Sequence, residues 1–185
     1  MKPSSIIIGG ATPPVVLLRI EMSTFVPEYF IVPEEIDTAD FCLRVLNPEY
    51  ADLDYKAVIE SKSRLGNVFS EAWPEVVTSP IQNLEYIKQD HEDFQKRLGF
   101  SYIILNLDLN RSLGCAYIFP SLFEGYEAAV YFWVHIQLMD TDFEKNFEFF
   151  LKNWIQAKWP FNKVAYPGRD LPWNEWLSRA KKLQI

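Results

Sequence analysis

The stretch VYFWVHIQLMDTDFE, residues 130–144, decides how this chain is read. Its first half is a run of β-branched and aromatic residues, the composition of a buried strand. Its second half changes period. Thr141-Asp142-Phe143-Glu144 has the form of a capping box and opens a helix with Phe143, Phe147, Phe150, Leu151 and Trp154 on one side. A strand running directly into a helix is where many folds hold a phosphate, with glycines that let the backbone close on it. Here no glycine lies between Gly125 and Gly168, so the junction is not the usual phosphate cradle.

Working outward, Trp159-Pro160 ends that helix, 162–166 reads as a short strand, and Pro172 starts a last helix to about Leu183. A strand, a helix and a strand in succession predict a parallel, right-handed unit over 126–166. Upstream lie two strand-like runs, 100–107 and 113–119, joined by the turn Asp108-Leu109-Asn110-Arg111. Two helices precede them. One starts at Asn47-Pro48-Glu49, runs to about Arg64 and ends before Gly66. The other starts at the capping box Ser79-Pro80-Ile81-Gln82, and Leu84, Ile87, His91, Phe94 and Leu98 form its apolar stripe, closed by Gly99. A strand at 41–46 comes first. Residues 1–40 carry five prolines, at 3, 13, 14, 27 and 33, and read as extended, with strand signals at 6–8 and 15–20. Gly9-Gly10 after the first of these is no dinucleotide fingerprint, because Pro13-Pro14 forbids the helix that must follow. The expected fold class is α/β (α+β), a mixed and mostly antiparallel sheet flanked by helices. One domain over 1–185 is expected, with 1–40 as an N-terminal extension.

Composition narrows the function. A net charge of -7 argues against a nucleic-acid footprint, and Arg179, Lys181 and Lys182 are better read as complementing the last helix's dipole. Cys42 and Cys115 lack metal-ligand spacing and His91 and His135 are the only histidines, so no metal site is expected. Both thiols read as free and buried. No run approaches the ~18 apolar residues of a membrane span. Together with the absence of a secretory pattern, this gives the expectation of a cytoplasmic, non-membrane protein.

The order of elements resembles the GNAT superfamily of N-acetyltransferases. Phe41-Cys42-Leu43-Arg44-Val45-Leu46 is similar to that superfamily's opening strand, and Leu113-Gly114-Cys115-Ala116-Tyr117-Ile118 to its third. Ala128-Ala129-Val130-Tyr131-Phe132-Trp133-Val134 resembles its fourth strand, and the match spans residues 41–180. The resemblance implies acetyl-CoA as cofactor and acyl transfer to a small-molecule amine. It places cofactor contacts at Trp133, Val134, His135, Thr141, Asp142 and Phe143. Three departures accompany it. Gln137-Leu138-Met139-Asp140-Thr141-Asp142 stands where the superfamily has a glycine-containing loop, and its carboxylates oppose a pyrophosphate. Ala129 stands where many members carry a glutamate, leaving Glu127 on the same strand as substitute base. The chain ends at Ile185, so the superfamily's terminal hairpin is expected to be absent.

Three catalytic candidates follow, each beside a plainer role. Glu127 as base needs burial, yet reads equally as a solvated carboxylate beside a turn. His135 follows the strand as base or donor, or as a loop residue. Tyr166 is a candidate acid for the departing thiolate, or a packed ring with a bonded hydroxyl. His91 reads as a satisfied core histidine. Phe149 lies off the apolar stripe and leaves a homodimer open. The departures also support a second reading, a catalytically inactive GNAT-like module for ligand binding or assembly.

Overall fold

The computed structural model describes residues 25–66 and 73–182, together with a short ladder between β1 (Ile6–Ile7) and β2 (Val16–Leu17). The rest of the 6–8 and 15–20 strand signals lies outside the described residues. The main sheet has six strands in chain order: β3 (Glu35–Asp37), β4 (Cys42–Val45), β5 (Phe100–Leu105), β6 (Ser112–Pro120), β7 (Ala128–Val134) and β8 (Val164–Ala165). All neighbours are antiparallel except β7 and β8, which are parallel across the crossover helix. The fold class is as the sequence predicts, and so is the order of elements from β4 onward; β3, inside the stretch read as an extended N-terminal extension, adds an edge strand that the sequence reading did not foresee.

α1 (Ala51–Leu65) follows a 3₁₀ turn whose cap, Asn47, accepts the Glu49 amide at 2.9 Å. α2 (Pro80–Gln95) is capped by Ser79, which accepts the Gln82 amide at 3.2 Å. The reciprocal half of that capping box is missing, since Gln82 Oε1 accepts from the Thr78 amide and hydroxyl instead. α2 also stops before Gly99, and Arg97 takes the left-handed turn with φ 60°. α3 (Asp142–Lys158) and α4 (Trp173–Lys182) complete the set.

β5, β6 and β7 are buried along nearly their whole length because both faces are covered. Leu46, Val58, Leu65, Ile87, Ile103, Tyr117, Trp133 and Trp176 form the layer under α1, α2 and α4. Val26, Phe41, Leu43, Phe100, Tyr102, Val130, Phe132, Phe147 and Trp154 form the layer under α3. Residues just upstream of β3 join this second layer, where Phe25 stacks on Phe100 and Phe161 at 5.6 and 5.0 Å. Phe149 is 72% exposed, off the stripe as expected. His91 departs from expectation. It is half-buried, its Nε2 sits 3.0 Å from Gln95 Nε2, and its buried Nδ1 has no partner. The buried face of α2 is rotated towards Asn83, Ile87, Asp90 and Phe94, which leaves His91 at the margin.

That rotation buries a polar cluster. Asp54 of α1 accepts from Asn83 Nδ2 at 2.9 Å and from the Cys115 thiol at 3.1 Å. Asp90 is 2% exposed and neither of its oxygens has a partner. Burial raises the carboxyl pKa of Asp90 well above its ordinary value, and the nearby Asp93 and Asp54 push the same way. Cys42 and Cys115 are free and buried. Among the described residues no group of His, Cys, Asp and Glu is placed to hold a metal, and no helix is long and apolar enough to cross a membrane.

Candidate functional site

The site is set by where β8 stops. It pairs with β7 only through Ala128↔Val164 and Ala129↔Ala165. Pro167, two residues later, has no amide to continue a ladder. The chain there turns away instead, with the amides of Arg169, Asp170 and Leu171 all donated to the Tyr166 carbonyl. The rest of β7 keeps an uncovered edge. Its polarity follows from the β6 pairing: His135 donates its amide to Leu113 at 2.7 Å, in the same register that pairs Cys115 with Trp133 and Tyr117 with Tyr131. In an antiparallel ladder the intervening residues point their backbone groups the other way. The amides and carbonyls of Phe132 and Val134 therefore face the open side.

A cleft of about 140 Å³ lies along that edge, lined by Arg64, Phe132, Val134, Met139, Asp140, Glu144 and Arg169 among others. Arg169 covers the Phe132 ring, with its guanidinium carbon 4.1 Å from the ring centroid. A larger hollow of about 430 Å³ borders β3 and β4, but it is open, and its one cation, Arg44, is already paired with Asp37 at 2.6 Å.

The β7–α3 junction spends its donors on the protein itself. Ile136 donates its amide to Ser61 Oγ at 2.9 Å, Gln137 to His135 Nδ1 at 3.3 Å, and Leu138 to the His135 carbonyl at 2.7 Å. Thr141 donates both its amide and its hydroxyl to the Leu138 carbonyl. The Thr141–Glu144 capping box does not form. Thr141 makes no side-chain cap, and the Glu144 carboxylate accepts the Asp140 amide at 2.7 Å instead. Asp142 is exposed and paired with Lys145 at 3.3 Å, whereas Phe143 packs against Phe41.

Solved acetyltransferases share this fold. RimL, the ribosomal L7/L12 alpha-N-protein acetyltransferase in complex with coenzyme A, aligns with a TM-score of 0.54 at 15% identity, over 68% of this chain and 70% of its own. The microcin C7 self-immunity acetyltransferase MccE, in complex with acetyl-CoA and AMP, gives 0.54 at 16%, over 68% and 69%. The ribosomal-protein-S5-alanine acetyltransferase from Vibrio fischeri gives 0.54 at 10%, over 65% and 66%. The fold is that of the GNAT acetyltransferases. No protein-family model and no curated protein sequence matches the chain. The GNAT likeness is therefore one of fold.

Within the GNAT framework the sequence candidates separate. Trp133 and Val134 end the open edge, although the Trp133 ring points into the core, where its Nε1–H donates to Tyr117 Oη at 3.3 Å. Ala129 lies beside Ala165, at the last rung before the strands part. Glu127 lies at the opposite end of β7 from the cleft. Its carboxylate accepts the amides of Asn162 and Lys163, which hold its pKa below the ordinary range. A base near neutrality needs the opposite shift, so Glu127 braces the approach to β8 rather than taking a proton. His135 is 3% exposed at its side chain and both ring nitrogens are engaged, Nε2 with Glu60 at 2.8 Å and Nδ1 with the Gln137 amide. This binds β7 to α1 and leaves no lone pair for substrate. Tyr166 follows directly on β8, half-buried, with Lys152 Nζ 5.2 Å from its ring centroid. Burial pushes its phenol up to about 12. Sequence reasoning missed Arg64 and Arg169, which stand alone among polar residues in the chain and are joined only by the fold.

Proposed function

We propose that this protein transfers an acetyl group from acetyl-CoA to an amine. The observation that carries the reading is the open β7 edge, with the backbone groups of Phe132 and Val134 facing a cleft and unclaimed by β8. An amide-bearing arm adds to such an edge as an extra strand would, through main-chain hydrogen bonds. Those two residues fit the pantetheine arm, and Arg64 and Arg169 at the cleft's mouth fit its charged end. Acetyl-CoA supplies the thioester.

The chain's own groups do the rest. A Phe132 or Val134 amide offers the hydrogen bond that favours charge on the carbonyl oxygen. Tyr166 directly follows the strand that parts from β7; it lies outside the cleft's own lining, is protonated throughout the physiological range and is the acid proposed for the departing thiolate. With Glu127 and His135 both engaged, the amine enters as its free base and, once acylated, loses its extra proton to water, which returns one to the Tyr166 phenolate so that the exchange balances. The net charge of -7 suits a cationic partner, and a small amine is the substrate class proposed. Incubation with acetyl-CoA and a panel of primary amines should give mass-shifted products, slowed at least about tenfold in Tyr166→Phe. No acetylated amine at millimolar acetyl-CoA would sink the reading.

A further inference from the structure

We propose that Asp140 and Glu144 form an exchangeable latch: they occupy the cationic mouth of the cleft until an anionic group of the acyl donor replaces them on Arg64, Arg169 and the Asp140 amide. This rests on the acyl-donor reading above, and it adds the residues and the displacement that admit the donor.

Glu144 sits as a bound anion would. One carboxylate oxygen accepts the Asp140 amide at 2.7 Å, and the other accepts from Arg169 Nη2 at 2.7 Å. Two donors from separate parts of the chain thus converge on one negative group at the end of the open edge. Asp140 completes the arrangement, taking Arg64 Nη2 at 2.6 Å. Its backbone has φ 61°, the left-handed region, which aspartate tolerates better than most side chains. The amides of Ile136, Gln137, Leu138 and Thr141 are bonded to backbone, hydroxyl or imidazole groups. Asp140's amide is held by a carboxylate on a rotatable side chain, so an anion reaches it without unmaking the loop.

Exchange is favourable on electrostatic grounds. The Arg64–Asp140 pair is solvent-exposed, 51% and 76% at the two side chains, and such pairs hold weakly, so it exchanges first; the Arg169–Glu144 pair is more sheltered, 27% and 14%, and yields only to the stronger anion. A diphosphate carries more charge and more acceptor oxygens, and guanidinium groups bind it in bidentate fashion. Glu148, 3.5 Å from Arg169 Nη1, keeps that guanidinium in place while Glu144 swings away. The latch also accounts for the missing glycines. Where side chains carry the anion, the backbone need not approach it closely.

Calorimetric titration with coenzyme A and with pantetheine, which lacks the diphosphate, tests the idea in wild type, Glu144→Gln, Asp140→Asn and Arg169→Gln. Glu144→Gln and Asp140→Asn should bind coenzyme A about tenfold more tightly, and Arg169→Gln about tenfold more weakly. Pantetheine affinity should stay within about twofold throughout. The opposite directions separate the latch from general loss of structure, which weakens every variant alike. Coenzyme A affinities unchanged in all three variants, or reduced in all three, would overturn the latch and leave the donor reading standing. A wild type that binds neither compound overturns both.

Discussion

Alanine at position 114 should destabilise the protein by about 3 kcal/mol or more and lower its melting temperature by roughly 10 °C. Gly114 has φ 141°, a conformation that L side chains rarely adopt. An added Cβ would lie 2.1 Å from the Trp133 carbonyl oxygen and 2.8 Å from the Val134 Cα. Both are backbone atoms, so no side-chain rotation relieves the overlap. Gly114 faces Val134 in the ladder, at a pair where the two backbones approach most closely. The strain therefore falls on the end of β7 that borders the cleft. Any Gly114→Ala protein that still folds should also lose coenzyme A affinity. Gly66→Ala is the control, because Gly66 has φ -59° and nothing within 4 Å of an added Cβ. Thermal unfolding followed by circular dichroism separates the two, and equal melting temperatures would count against the packing described at β6 and β7.

Asp90→Asn should act in the other direction, raising stability at neutral pH by about 2 kcal/mol, on the order of 5 °C. The folded carboxyl pKa lies well above the unfolded value of 3.8. The folded state therefore holds a proton that the unfolded state releases. This contribution is complete below the unfolded value and is lost as pH rises through the folded one. Neutral pH thus favours unfolding through Asp90. Asparagine cannot ionise, and its amide supplies donors to a cluster rich in acceptors, since Asn83 Oδ1 and Asp93 Oδ2 are buried without partners. The wild type should lose stability relative to the variant as pH rises from the unfolded value of 3.8 through the folded one, with the curves converging in acid. A variant less stable than wild type at pH 7, with an unchanged slope, would contradict this account of Asp90.

The fold was legible because its central strands are long runs of β-branched and aromatic residues, and buried strands need such residues on both faces. The parallel crossover followed from chain order alone. Local chemistry was less faithful. Thr141-Asp142-Phe143-Glu144 has the letters of a capping box, yet Glu144 bonds to Asp140 and Arg169, an outcome set by tertiary neighbours. In α2 the stripe through Leu84 and His91 competes with one through Asn83 and Asp90, and apolar content favours the first. The structure buries the second, at the cost of an unpartnered carboxylate. Trp133 and Val134 were candidates only through the resemblance of their strand to the GNAT fourth strand. Arg64 and Arg169 could not be placed, since isolated arginines carry no periodic signal and meet only when α1 and the turn after β8 close on the same loop.

In the proposed reaction the β7 edge beyond Ala129, unpaired by β8, receives the acyl donor. Amide hydrogen exchange at single-residue resolution, with and without acetyl-CoA, tests it directly. The Phe132 and Val134 amides should exchange faster than those of Tyr131 and Trp133, which pair with β6, and should become protected when acetyl-CoA is added. Equal protection of all four without ligand, or no change at Phe132 and Val134 at saturating acetyl-CoA, would contradict it.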